Sequence, residues 1–147
     1  MSGKALGKPV TSQSGYFGTI AAGTSDERVV FVAPFDCVIT DIYMTNAAAL
    51  AAAAANATTF NFERKGTAGT GTDEIAEFTT LSGGDNASFT AFLPLDVSAQ
   101  TGVTLAYTSV PKNTAVTLTK TDAASGVATD NMVVTVEYVP QAGLKNF

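Results

Sequence analysis

The side chains that do most polar chemistry are thinly spread in this chain. Its densest carboxylate group is Asp73, Glu74 and Glu77, and paired carboxylates serve as general acid and base or bind calcium. Calcium-loop spacing is missing around them and no second well-placed pair accompanies them, so a solvated loop rim is the first reading. Asp36 and Asp41 flank the start of an apolar run, where they suit a loop cation or simple turn and edge polarity. The glycine-rich stretch at 66–72, GTAGTGT, resembles a phosphate cradle but lacks the Lys-Ser/Thr ending and a following amphipathic helix. There is no histidine and no tryptophan, which removes a necessary part of Ser-His-Asp and Cys-His catalysis and of His-ligated zinc. The single cysteine, Cys37, sits inside an apolar run and reads as an inert buried thiol. No nucleophile, base and orienting group can be named together. The expectation is a non-enzyme with no catalytic residue, no metal site and no cofactor.

Charge narrows the partners. The chain of 147 residues has a formal charge of -5, and its eight basic residues are scattered, only Arg64 and Lys65 being adjacent. Nucleic-acid affinity rests largely on Lys and Arg at phosphates, so that partner is disfavoured. No apolar run approaches the roughly 20 residues that span a bilayer, and no membrane is expected. The opening MSGKALGKPVTSQSGYFG has two lysines without an apolar run behind them, unlike a secretory signal. Synthesis in the cytoplasm is the expectation, and the glycosylation-like triplets at Asn56 and Asn86 read as accidental.

The elements that would carry these residues are strands. Residues 28–46, RVVFVAPFDCVITDIYMTN, are two β-rich runs joined by a Pro34 corner. In the second run Val38, Thr40, Ile42 and Met44 form one face, the better core candidate, against Cys37, Ile39, Asp41 and Tyr43. Period-two alternation recurs at 58–65, 87–93, 103–108, 116–119 and 132–139, with a strand favoured at 73–81. Residues 1–27 read as an extended arm, 28–140 as the domain and 141–147 as a tail. Residues 46–57, NAAALAAAAANA, suggest one short helix capped by Asn46, with a low-complexity loop as the alternative. The fold class is therefore all-β, an antiparallel two-sheet sandwich, jelly-roll-like, with at most one short Ala-rich helix. An immunoglobulin-like sandwich is the runner-up without its Cys pair and Trp.

The outward faces of these strands are Thr, Ser, Ala and Asn more than Lys and Glu. Such a surface suits a protein covered by copies of itself or by a lattice, because interface cores are depleted in charge. Apolar residues of the arm, Val10, Tyr16, Phe17 and Ile20, and Ala49, Leu50 and Ala53 of the alanine segment are the candidate contacts. RVVFVAPFDCVITDIYMTN, the Gly/Ser-rich leader before it, FLPLDVSAQTGVTLAYT and NMVVTVEYVP together resemble the small β-sandwich decoration (cement) proteins of tailed-bacteriophage capsids. The resemblance covers most of 28–140, leaves the alanine segment unmatched and carries no signature residues across. It implies a virion structural protein, a homotrimer on the capsid exterior whose partner is the major capsid protein. The alternative is a carbohydrate- or receptor-binding module of a head fibre or tail; Tyr16, Tyr43, Tyr107 and Tyr138 are the available aromatics, of which Tyr107 and Tyr138 follow the apolar phase of their strands and read as core or rim.

Overall fold

The computed structural model describes residues 10–82 and 88–141. Nine strands form among them: β1 (Thr11–Ile20), β2 (Asp26–Val32), β3 (Cys37–Thr45), β4 (Thr58–Arg64), β5 (Asp73–Thr79), β6 (Leu95–Asp96), β7 (Ser109–Val110), β8 (Ala115–Asp122) and β9 (Thr129–Pro140). One sheet runs β1-β9-β3-β6, with β7 also on β3, and the other runs β2-β8-β4-β5; every pairing is antiparallel. Chain neighbours β1 and β2, β2 and β3, and β3 and β4 thus lie in opposite sheets. This is the strand order of a jelly roll, and the two-layer all-β sandwich expected from the period-two runs is the fold.

Both open sides of the sandwich are closed by backbone. On one side Gly15 of β1 crosses β2 so closely that a Cβ there would lie 2.0 Å from the Val30 carbonyl oxygen. Only glycine permits that approach, and beside it the Val32 N–H donates to Gln13 Oε1 at 3.2 Å. On the other side β6 and β7 share the place of one edge strand, β6 on Tyr43 and Met44 and β7 on Cys37 and Val38. The chain between them leaves the sheet and returns through Ala106, whose N–H donates to the Ile75 carbonyl of β5 at 2.9 Å.

Apolar side chains fill the space between the sheets. Phe17, Phe31, Phe60, Phe62 and Phe78 are each below 2 % exposed, and burial of such a ring is worth about 1.5–3 kcal/mol. Three strands reach this core by changing face midway. In β3, Ile39 opposes Tyr138 and Asp41 opposes Glu137, so Thr40 is an extra residue. Cys37 and Ile39 point inward before that bulge, and Ile42 and Met44 after it. The expected single core face of β3 is corrected accordingly: Thr40 is exposed and Val38 half-buried. Val30 in β2 and Phe17 in β1 are extra residues of the same kind, the latter beside Gly18 at φ 96°.

Several other expectations are corrected. The arm expected at 1–27 is part of the sandwich from residue 11 onward. Strand β1 pairs with β9 along its length, and β2 begins at Asp26, so a domain boundary at residue 28 would cut a strand. The first nine residues, and those after Gln141 in the expected tail, lie outside the described residues. The helix expected at 46–57 does not form. Leu50 and Phe89 instead exchange backbone hydrogen bonds at 3.0 and 2.8 Å, and Ala53 does the same with Thr80 and Ser82 at 2.9 Å each. A segment of methyl side chains gains little by packing as a helix, so these cross-chain bonds prevail. The strand expected at 87–93 is an isolated bridge at Phe89 followed by a turn, with Leu93 exposed. The stretch at 103–108 runs as the bridging loop just described.

Candidate functional site

Most of the charge in the described residues is spent inside the chain. Lys120 is fully buried on β8; its ammonium donates to the Ala21 and Thr24 carbonyls at 3.3 and 3.0 Å and pairs with Asp122. Asp122 also accepts from the Gly23 N–H at 2.7 Å and the Thr58 hydroxyl at 2.6 Å. The cluster therefore ties the β1–β2 turn to β8 and β4. Arg64 pairs with Asp73 at 2.6 Å and lies 5.4 Å from the Tyr107 ring. Lys65 is clamped between Glu27 and Glu63, and its bond, followed by that of Thr117, holds the Glu27 carboxyl below its ordinary value. Arg28 pairs with Asp26 at 2.8 Å. Four of the five described basic side chains are thus committed, leaving no basic surface patch among the described residues.

One end of the sandwich is, by contrast, poor in charge. Residues 46–57 and 80–93 hold one ionisable side chain between them, Asp85, and it lies outside the described residues. Asn46, fully buried at the exit of β3, organises this end. Its amide donates to the Ala48 carbonyl at 2.8 Å, its Oδ1 accepts from the Asp130 N–H at 2.8 Å, and its carbonyl accepts from the Phe92 N–H at 2.8 Å. Asn46 is thus a clamp on three segments rather than a helix cap. The clamp leaves Ala49, Ala51, Ala54 and Ala55 exposed, beside Leu81 at 38 %, Phe92 at 74 % and Leu93 at 59 %. Phe92 has φ 60° in a turn closed by the Leu93 N–H on the Thr90 carbonyl at 3.1 Å. A bulky residue in that conformation is uncommon and costs about 1–2 kcal/mol. The ring so placed stays exposed beside Leu93.

The outer face of the β1-β9-β3 sheet carries a different feature. A shallow groove of about 270 Å³ is lined by Tyr43, Thr45, Pro94 and Thr135. Asp96 opposes Tyr43 across the sheet, and Asp41 opposes Glu137 one row further on. The Tyr43 hydroxyl donates to Asp41 at 3.0 Å. That bond, with the charges of Asp41, Glu137 and Asp96, raises the Tyr43 phenol to about 12. The single Ser98 hydroxyl proton is shared between the two aspartates, with Oγ 2.8 Å from Asp96 and 3.3 Å from Asp41.

The residues singled out in the sequence separate cleanly. Phe17, Ile20 and Leu50 are core side chains, so these three expected contacts hold the chain to itself. Val10 and Tyr16 are exposed at 59 and 62 % on and beside β1, Ala49 is exposed at the charge-poor end, and Ala53 there is half-buried. Asp73 is Arg64's partner, while Glu74 and Glu77 point outward along β5, so the three do not converge. Among the described residues no three His, Cys, Asp or Glu side chains form a metal-binding group. Asp36 accepts from the Lys112 N–H at 2.8 Å as turn polarity. In the glycine loop the Gly71 N–H bonds back to the Lys65 carbonyl at 2.8 Å. Burial, then the charge of Asp36, pushes the Cys37 thiol up to about 11. Phe92 was missed because Phe89, Ala91 and Leu93 alternate as one face of a strand and leave Phe92 on the other, and Lys120 because nothing local announces a buried lysine. Compared with known protein families and with curated proteins, the chain matches no family model and no curated sequence.

Proposed function

We propose that this chain is a non-enzymatic structural protein of a virion. It binds the outside of a tailed-bacteriophage capsid as a homotrimer and stabilises contacts between neighbouring major capsid subunits. The observation that carries the reading is the charge-poor end, where Ala49, Leu81, Phe92 and Leu93 are presented on a backbone clamped by Asn46. Contact surfaces that bind a protein lattice are depleted of charge at their centres and enriched in aromatic side chains. The edge strands β1 and β2, with Tyr16, Val29 and Val32 exposed at 62, 54 and 46 %, offer a second surface for contacts between copies, one whose charges on β2 are already held in ion pairs. Three such ends in one trimer would act together, so modest single contacts sum through effective concentration.

The test is co-sedimentation with tailed-phage capsids stripped of their decoration protein, alongside light scattering. The intact chain is expected to saturate the shells as trimers of a 15.0 kDa protomer. Phe92→Asp with Leu93→Asp is expected to cut binding at least tenfold while the unfolding midpoint hardly moves, because both side chains are already in water. Undiminished binding by the double variant sinks the assignment of this end. Glycan-array binding with no capsid binding replaces the reading with the receptor-module alternative.

A further inference from the structure

Ion pairs divide the charges of the described residues into used and unused. Arg28, Arg64, Lys65 and Lys120 are paired with carboxylates, and Lys112 is the one described base without such a partner. Asp41, Asp96 and Glu137 likewise meet no cation among the described residues. They stand half-buried on the outer face of the β1-β9-β3 sheet, where Asp96 opposes Tyr43 and Glu137 opposes Asp41. Beside them opens the groove of about 270 Å³ between Tyr43, Thr45, Pro94 and Thr135. A slot walled by an aromatic ring and a proline and bordered by carboxylates fits a side chain with an aliphatic stem and a cationic tip. Lysine has that form.

Lys112 is presented for such a contact. It is exposed with Asn113 in the turn between β7 and β8, and the backbone of this turn is fixed. The Lys112 N–H donates to Asp36 and the Asn113 N–H to the Ala33 carbonyl, each at 2.8 Å, and the Thr114 hydroxyl donates to the Pro111 carbonyl at 2.7 Å. Docking such a turn costs little ordering of its backbone. Within one chain the turn and the groove are far apart. Val110, at the start of the turn, pairs with Cys37, whereas the groove begins at Tyr43. Those positions are separated by roughly 20 Å of extended strand, which a lysine side chain does not cross. A Lys112 that enters the groove therefore belongs to another copy, whose other described bases are already paired.

We infer that Lys112 of one copy docks in the Tyr43–Pro94 groove of the next, its stem along the Tyr43 ring and its ammonium among Asp41, Asp96 and Glu137. Turn and groove are different patches, so the contact is head-to-tail, each copy gives one turn and receives one, and the series closes as a ring. A single lysine–carboxylate contact at a half-exposed surface is weak, but the contacts around a ring act together. This names a contact within the homotrimer proposed above and rests on that reading for the number of copies; the capsid has no part in it. Strand β3 leads from the Asp36 turn to Asn46, so the charge-poor end lies away from the docking turn.

Sedimentation velocity and carbodiimide coupling of the intact chain test it. Trimers are expected at low salt, and Lys112→Glu is expected to weaken association at least tenfold while circular dichroism is unchanged, because that side chain is exposed. A water-soluble carbodiimide joins an amine to a carboxylate in contact with it. In a mixture of isotope-enriched and unenriched chains it is expected to join Lys112 of one form to Asp41, Asp96 or Glu137 of the other, read by mass spectrometry of the peptides. Trimers that withstand Lys112→Glu overturn this contact and leave the trimer standing. Links to these three carboxylates from Lys4, Lys8 or Lys145 in place of Lys112 overturn it in the same way. A chain that is monomeric at every concentration overturns the contact and the trimer together.

Discussion

Lys120 shows how a residue's chemistry depends on what surrounds it. A lysine alternating with threonines in TLTKTD has the pattern of a solvated strand position, yet its ammonium is fully buried and satisfied by two carbonyls and Asp122. Removing one partner of a buried pair leaves the other charged and uncompensated, at a cost of about 3–5 kcal/mol. Lys120→Met is therefore expected to lower the urea midpoint by that equivalent; a change within about 0.5 kcal/mol, usual for surface sites, would show the pair to be dispensable. Tyr43 gives the corresponding pH statement. The folded chain holds the phenol proton more tightly than the unfolded chain, about 12 against an ordinary 10.0. Its stabilising contribution is accordingly complete below pH 10.0 and is lost as pH rises toward about 12. Asp41→Asn removes the accepting carboxylate, and NMR titration of the Tyr43 ring should then show a midpoint moved back toward 10.0. No movement would mean that Asp41 does not set it.

At the scale of elements, β1 decides how much of the sandwich is closed. Its pairing with β9 and its crossing of β2 make it an edge strand of the barrel-like wrap rather than an arm. The crossing depends on Gly15: a methyl group there would meet the Val30 carbonyl oxygen at 2.0 Å. Gly15→Ala is expected to cost about 3 kcal/mol, the upper end of overpacking, read as a lower thermal midpoint. A neutral outcome would show that β1 can slide away from β2 without loss. The alanine segment teaches the opposite lesson about local preference. Twelve residues of helix-favouring composition form no helix because they must pass from β3 in one sheet to β4 in the other, and Leu50 and Ala53 find backbone partners on residues 80–89. Propensity was outweighed by connectivity.

For the whole molecule, the strand alternation pointed to two packed sheets, and strands at 58–64, 73–79 and 129–140 follow the periodic runs closely. The jelly-roll order emerges only from which strands pair, because contacts between β1 and β9 join residues more than a hundred positions apart. Charge behaves similarly. Composition reveals an acidic chain with few bases, but the ion pairs determine that four of the five described bases are used internally. They leave the charge-poor end and the acidic face as separate surfaces.

By itself the sequence determined the absence of histidine chemistry, the all-β class and the uncharged character of the alanine segment, because composition and period two are local properties. The arrangement of those pieces was decided by tertiary structure. Bulges at Phe17, Val30 and Thr40 changed which side of three strands faces inward, and one extra residue reverses every later side chain. That reversal is why Phe17 and Ile20 became core while Tyr16 stayed outside. Phe92 likewise is held exposed in a turn whose backbone bonds to Asn46.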